Sequence, residues 1–341
     1  MSLKPVTILG VGRCLPEKIV TNDDLSAIVD TNDEWISSRT GFKQRRIISG
    51  EETVTTLAIG AAKEALAFAG VDGSEVDLVI CASSTPNYMF PSTACEVQGA
   101  IGSKGAAFNL VAACSGLVYA MSVANSFIAS GVYKKVLVIG AEAHSRFLDW
   151  SDRNTCVLFG DGAGALLLSE YQDGQNDILA IELAADGTKA LELTLPIVKV
   201  VSPLSGVAAE EINPYIWMNG KEIYKFAVVT VPKSINSALE KANLSIEELD
   251  YLIPHHANMR IISAVQDRLG LKDEQIIVSL ENYANTSTAS TPIALSEALE
   301  AGKIEENSTI ALCGFGAGLT WGSAVIRWRA KDKRRTEGPE S

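Results

Sequence analysis

Histidine is scarce in this chain, with three among 341 residues: His144, His255 and His256. Any step that needs an imidazole therefore has few candidates. Cysteine occurs six times, at Cys14, Cys81, Cys95, Cys114, Cys156 and Cys313, yet no two stand in a C-x-x-C pair. That absence argues against a metal site of the zinc type and against a thioredoxin-like dithiol. Most of the cysteines sit in apolar runs, such as Cys156 in TCVLFGD and Cys313 in TIALCGF, and read as small buried hydrophobes in a reducing cytoplasm. Long apolar runs are missing as well. No stretch of about 18 uncharged apolar residues occurs, so no membrane span is expected. The N-terminal MSLKPVTILGVGRCLPE lacks a small-residue cleavage site and reads as a first strand, not a signal peptide. Basic residues are in deficit, 29 against 41 acidic, for a net charge of −12. Such a chain is a poor nucleic-acid binder, and an acidic partner must be met by a local basic patch against the global field.

With 47% hydrophobic and 21% charged residues the composition is globular, and the pattern alternates helix and strand. Helical spacing runs from Glu51 to a stop at Gly70 and recurs from Pro91 (capped by Ser92), Ser115, Gly220, Ala257 and Ser290. Pro232 should kink the helix that begins at Gly220 or lie near a break in it. Strands are expected at VDLVICAS, GAAFNLVAA, KKVLVIGAE, TCVLFG, GAGALLLSE, DYLIPHH, QIIVSL, STIALCGFGAG and LTWGSAVIRW. The runs LFGDGAGALLLS and GFGAGLTWGSAVIRW echo each other as strand, glycine-rich turn and strand. This points to a duplicated α/β unit with mainly parallel sheets covered by helices. The halves are expected at residues 1–175 and 176–330. Leu191 to Asn219, with Pro196, Pro203 and Pro214, reads as a long loop or flap, and residues 331–341 read as a disordered tail.

Reactive groups in open α/β sheets collect beyond the carboxyl ends of strands. That rule selects Cys114 between AFNLVAA and SGLVYAM, His255 after DYLIP, Asn285 before STPIAL, and Ala317 in the turn after IALCGF. A cysteine at a helix N-terminus is expected to favour thiolate. Backbone N–H groups there can hold an oxyanion, and a thiolate that attacks a thioester keeps the acyl group activated. His255 and His256 cannot both face Cys114 while the strand continues. His144 follows a strand in a polar loop and reads as a surface histidine. The GDGAG run at Gly160 leads into a strand and not a helix, so it is not a dinucleotide loop.

The runs DTNDEWISSRTGFKQRR, FPSTAC, AACSG, DRNTCVLFGDGAG, PHHANMRI, NTSTAS and GFGAGLTWGS resemble the β-ketoacyl-acyl-carrier-protein synthase III family, initiating condensing enzymes of the thiolase superfamily. The resemblance implies a thiolase-like α/β fold, with two duplicated halves stacked as an α-β-α-β-α body. It implies a catalytic triad of Cys114, His255 and Asn285, with the His directly after Pro, and an oxyanion hole at the N–H groups of Cys114 and Ala317. Cys114 would accept an acyl group from acyl-CoA. Malonyl-acyl-carrier protein would then lose CO2, and its enolate, held by hydrogen bonds from His255 and Asn285, would attack the acyl carbonyl. Trp35, Arg39, Arg153 and Asn258 would bind coenzyme A, here a substrate, with no cofactor and no metal. Lys225, Arg260 and Arg268 would dock the acidic carrier protein, with Asp267 where a further basic residue is common. Phe90, Phe159 and Phe315 would shape the acyl pocket, Phe90 by crossing a homodimer interface. His256 stands where Gln is usual and Ala317 where Gly is usual, and ELTLPIVKVVSPLSGVAAEEINPYIWMNG looks longer than the common flap. These departures bring in a relative that takes a longer or unusual acyl group, in secondary metabolism, and a thioesterase or acyltransferase on the same fold is a further alternative.

Overall fold

The computed structural model describes residues 3–171, 174–197, 204 and 213–335. Strands β1 (Val6–Cys14), β2 (Leu78–Ala82), β3 (Ala106–Leu110), β4 (Lys135–Glu142) and β5 (Gly162–Glu170) form one sheet in the order β1-β5-β4-β2-β3. Strands β6 (Ile178–Ala185), β7 (Tyr251–Pro254), β8 (Thr309–Gly316) and β9 (Thr320–Arg327) form a second, in the order β7-β8-β9-β6. The principal helices are α1 (Asp33–Thr40), α2 (Val54–Ala69), α3 (Thr93–Ala100), α4 (Gly116–Ala129), α5 (Gly220–Lys241), α6 (Met259–Leu269) and α7 (Ser290–Glu300).

Strand alternation builds the layers. In β2, Leu78 and Ile80 point to the space between the sheets, and Val79 and Cys81 point to the outer face. In β8, Ile310 and Leu312 point inward while Ala311 and Cys313 point outward. Successive side chains leave a strand on opposite faces, so each sheet is apolar on both and needs helices on both. Helices α2 and α3 cover the outer face of the first sheet, through residues such as Leu57, Ala61 and Val97. Helices α4 and α7 fill the space between the sheets, through Leu117, Met121 and Leu295. Helices α5 and α6 cover the second sheet, through Val231, Ile235 and Val265. The result is the α-β-α-β-α stack, with helix ends fixed by local chemistry. Thr53 caps α2, whose stop is Gly70 at φ 60°, and Asn258 caps α6 by accepting the Ile261 N–H at 3.0 Å.

Several expectations need correction. The sheets are mixed and not mainly parallel: β4–β2, β2–β3 and β7–β8 pair parallel, whereas β1–β5, β5–β4, β8–β9 and β9–β6 pair antiparallel. Residues 317–319 alone join β8 to β9, which permits a hairpin but not the crossover that a parallel pair needs. TCVLFG is not a strand. Asp152 takes the Cys156 N–H on its carbonyl at 3.0 Å and the Thr155 hydroxyl on its carboxylate at 2.9 Å, which curls the segment, and Phe159 makes a lone bridge to Asn285. The echo between the two glycine-rich runs therefore holds as a strand–turn–strand in the second run alone. QIIVSL is likewise reduced to a bridge between Ile276 and Leu252, and a short helix, Leu280–Tyr283, follows it. Helix α5 runs without interruption through Pro232. Within the expected flap, Leu193–Thr194 pairs with Trp217–Met218, while residues 198–203 and 205–212 lie outside the described residues. Of the expected tail, residues 331–335 have a place on the body, where Arg334 meets Glu64 of α2 at 3.2 Å; residues 336–341 lie outside the described residues. Among the described residues no helix is long and apolar enough to cross a membrane.

One contact between the halves positions the chemistry. The segment 288–293 lies on the first sheet where two strands lack side chains. A Cβ at Gly140 would come within 2.6 Å of the Thr288 carbonyl oxygen, and one at Gly164 within 2.6 Å of Pro292 Cγ.

Candidate active site

Cys114 lies in the turn Ala113–Ser115 that leads into α4. Ala113 adopts φ 46°, a conformation that costs a residue with a side chain roughly 1–2 kcal/mol. Glycines of β8 allow that turn to pack directly on the strand: a Cβ at Gly316 would meet Cys114 N at 2.9 Å, Cβ at 3.0 Å and Sγ at 3.1 Å. The Thr320 hydroxyl, 2.9 Å from the Ala317 carbonyl and 3.1 Å from that of Ala112, ties the β8–β9 turn to the cysteine turn. Cys114 and Ala317 thereby line one small pocket.

Burial pushes the Cys114 thiol up to about 12, the Ser287 hydroxyl that donates to Sγ at 3.1 Å opposes this, and the Glu142 carboxylate adds to it. The thiolate expected from the helix terminus is thus outweighed by desolvation, and the resting sulfur carries its proton. Glu142 is itself fully buried. It accepts hydrogen bonds from Ser84 N and from the Thr85 hydroxyl, and burial pushes it up to about 7.

His255 follows β7 and is buried, and Phe315 packs edge-on to its ring at 5.2 Å. Burial pushes it down to about 3, aided by His256 and opposed by the Ser287 carbonyl, so the imidazole is neutral at pH 7. Its Nδ1 lies 3.0 Å from Ser290 Oγ. That hydroxyl gives its one proton to the Ser287 carbonyl at 2.7 Å and accepts the His256 N–H at 3.3 Å. With the hydroxyl proton on that carbonyl, Nδ1 is the donor to Ser290 and Nε2 keeps its lone pair. Asn285 is fixed in the same manner: Oδ1 accepts the Ser287 N–H at 2.8 Å, which leaves the Nδ2 amide hydrogens for another partner. Ser287, at φ 52°, serves all three groups. The motif NTSTAS contained Ser287 and Ser290, but their roles depend on folding back onto Cys114 and His255, which spacing does not show. Glu142, at the end of β4, was within reach of the strand-end rule.

One cavity of about 680 Å³ is lined by Cys114, His255 and Asn285, and further out by Trp35, Arg39 and Asn258. At its mouth the Trp35 ring meets two guanidinium groups, Arg39 at 4.5 Å and Arg153 at 5.2 Å. Arg153 is also held by the Asp30 carbonyl at 2.9 Å and its carboxylate at 3.3 Å. A flat base and phosphates suit such an edge. Arg260 lines the same cavity and makes no ion pair among the described residues. The other two basic residues have partners of their own: Lys225 meets Glu222 at 2.6 Å, and Arg268 donates to the Val228 carbonyl at 2.5 Å. His256 is buried away from the cavity, and its Nε2 has no hydrogen-bond partner among the described residues.

The three phenylalanines separate. Phe159 lines both the large cavity and a side pocket behind Cys114, Phe315 lines the large cavity, and Phe90 is 88% exposed on the surface. His144 is not a surface residue. It is 6% exposed, stacks on Phe159 at 5.0 Å, and lines the side pocket with Cys114. The 3-10 turn His144–Phe147 folds it inward, where sequence polarity suggested solvent.

Residues 108–187 match the family model described as 3-Oxoacyl-[acyl-carrier-protein (ACP)] synthase III, and residues 239–328 match the model of its C-terminal part. The beta-ketoacyl-acyl-carrier-protein synthase III of Oceanobacillus iheyensis is 46% identical over 95% of this chain and 99% of its own. That of Synechocystis is 47% identical over 94% and 97%. The crystal structure of 3-oxoacyl-acyl-carrier-protein synthase III from Aquifex aeolicus VF5 superimposes with a TM-score of 0.87 at 45% identity, over 95% of this chain and 100% of that one.

Proposed function

Since the chain belongs to the 3-oxoacyl-acyl-carrier-protein synthase III family, we propose that Cys114 carries the acyl group, with His255 and Asn285 as its partners. The protein is a condensing acyltransferase of the kind that initiates fatty-acid synthesis. Its substrates on this reading are a short acyl-CoA and malonyl-acyl-carrier protein. The observation that carries it is the single cavity in which Cys114, His255 and Asn285 meet below a mouth formed by Trp35 and Arg39.

In the loading step the bare Nε2 of His255 takes the thiol proton as Sγ attacks the acyl carbonyl. The tetrahedral oxyanion lies against the Cys114 and Ala317 N–H groups, and the proton passes to the departing CoA sulfur. Because burial disfavours both the thiolate and the imidazolium, proton removal is concerted with attack and neither ion stands alone. In the second step the malonyl thioester loses CO2 and its electrons move to the thioester oxygen, where Asn285 Nδ2 donates. The enolate carbon then attacks the acyl carbonyl and expels the cysteine sulfur, which takes up one proton. His255 joins Asn285 as a donor once Nε2 bears a proton, so in the resting tautomer the donor role falls on Asn285 alone. The thioesters supply all the activation needed, and no cofactor enters.

Carrier-protein docking rests on Arg260 at the cavity lip, since Lys225 and Arg268 already have intramolecular partners. A homodimer accounts for the exposed apolar residues Tyr88, Met89, Phe90 and Val111 beside the unpaired edge of β3. In the test, the Cys114 peptide is weighed after incubation with acyl-CoA, and CO2 release from malonyl-acyl-carrier protein is counted. Cys114→Ala should abolish loading. Asn285→Ala should load but release CO2 about 10²–10³-fold more slowly. Free acid without CO2 would mean hydrolysis and end the reading.

A further inference from the structure

The side pocket behind Cys114 has a volume of about 80 Å³ and apolar walls from Phe159, Leu193, Leu195 and Ile216. His144, Ser84, Thr194 and Ser287 interrupt them, and His144 is the one with a ring that can both donate and accept. Its Nδ1 is buried with no hydrogen-bond partner among the described residues, although the ring is 94% hidden and flat against Phe159 at 5.0 Å. A buried polar atom left unpaired costs roughly 1–3 kcal/mol, and a leucine in its place would remove that cost. Burial also pushes His144 down to about 4, so at neutral pH it offers one N–H and one lone pair and no charge. A carboxylate brought into this slot would find no cation, whereas a hydroxyl or carbonyl would find a partner of either sense.

The geometry points to His144 as a specificity subsite for an acyl group that carries an uncharged oxygen, a hydroxyl or a carbonyl, on the third carbon. The inference rests on the acyl-cysteine reading above. Chain length follows from volume. At about 30 Å³ per water-sized group, 80 Å³ accommodates roughly three groups beyond the thioester carbon, so the natural occupant is a short acyl chain. A slot that presents a polar ring to the acyl chain discriminates against the plain alkyl chain, whose carbons offer that ring no partner.

The test compares Cys114 loading rates for acetyl-CoA, butyryl-CoA, both enantiomers of 3-hydroxybutyryl-CoA, and acetoacetyl-CoA, read by the mass of the cysteine peptide. In the unaltered protein one oxygenated four-carbon thioester should load at least about tenfold faster than butyryl-CoA. His144→Leu should reverse that order, and His144→Gln, which keeps a donor and an acceptor, should preserve it. Equal or faster loading of butyryl-CoA by the unaltered protein overturns the inference without recourse to any variant. A preference that survives His144→Leu overturns it as well. Acetyl loading without an oxygen preference sinks this inference alone; no loading from any thioester sinks the acyl-cysteine reading with it.

Discussion

Gly316→Ala tests whether the cysteine turn is held rigidly against β8. The added methyl would lie 2.9 Å from Cys114 N, 3.0 Å from Cβ and 3.1 Å from Sγ. Relaxed contacts between such atoms are about 3.5–4.0 Å, so something must move by roughly half an ångström. Gly316 is fixed on its other side by pairing with Thr320, so the cysteine turn should be the part that yields. Overpacking of this kind costs about 1–3 kcal/mol of stability. A displacement of 1 Å at a reacting atom costs on the order of 10²-fold in rate, which puts the loss for half that distance near tenfold. Single-turnover loading of Cys114, followed beside a denaturation curve, reads both effects. Gly99→Ala is the control, since a Cβ there meets nothing within 4 Å. If Gly316→Ala loaded at the unaltered rate, the turn would be compliant and the argument for a preset nucleophile would fail.

Nitrogen-15 spectra of the resting protein should place the His255 proton on Nδ1, since Ser290 has no proton to give it; a resonance from Nε2–H would refute the tautomer and the base role derived from it. Alkylation of Cys114 by iodoacetamide should keep rising about tenfold per pH unit beyond pH 9, because the thiol is pushed up to about 12; a plateau near pH 8 would contradict this. His144, His255 and His256 are pushed down to about 4, 3 and 3 by burial. Between those values and about pH 6.5 the unfolded chain binds more protons, so stability rises with pH across that window and levels above it. Three carboxyls that burial raises, Glu142 (to about 7), Asp161 and Asp177, act in the opposite direction, so the histidine share is read by difference: urea midpoints of His256→Gln should rise less between pH 4.5 and pH 6.5 than those of the unaltered protein, and equal slopes would reverse the assignment. Trp35→Ala removes the ring that Arg39 and Arg153 face. It should weaken CoA binding by about 5–30-fold, from 1–2 kcal/mol of lost contact, and calorimetry with an unchanged Kd would remove Trp35 from the site.

What the sequence showed and what it concealed divide along physical lines. The strand-end rule found Cys114, His255 and Asn285 because it depends on element order, which hydrophobic period reveals. Sheet direction was misjudged because short connections, such as residues 317–319, decide it and leave no trace in periodicity. TCVLFG has the composition of a strand, but Asp152 captures its amides, a local contest that apolar content does not register. His144 was misplaced because a polar loop is presumed wet, whereas this one turns beneath Phe159. Ser290 was legible as a helix start but not as the group that decides which imidazole nitrogen is protonated.

The bare floor at Gly140 and Gly164 has a consequence for the integrity of the catalyst. The nucleophile comes from the part of the chain that builds the first sheet, while the imidazole and the amide come from the part that follows it, and they meet because two positions carry no side chain to hold those parts apart. A chain cleaved between Glu170 and Ile178 should keep its reactivity for as long as the two fragments stay together and lose it at the moment they part, because neither fragment holds a working remnant of the chemistry.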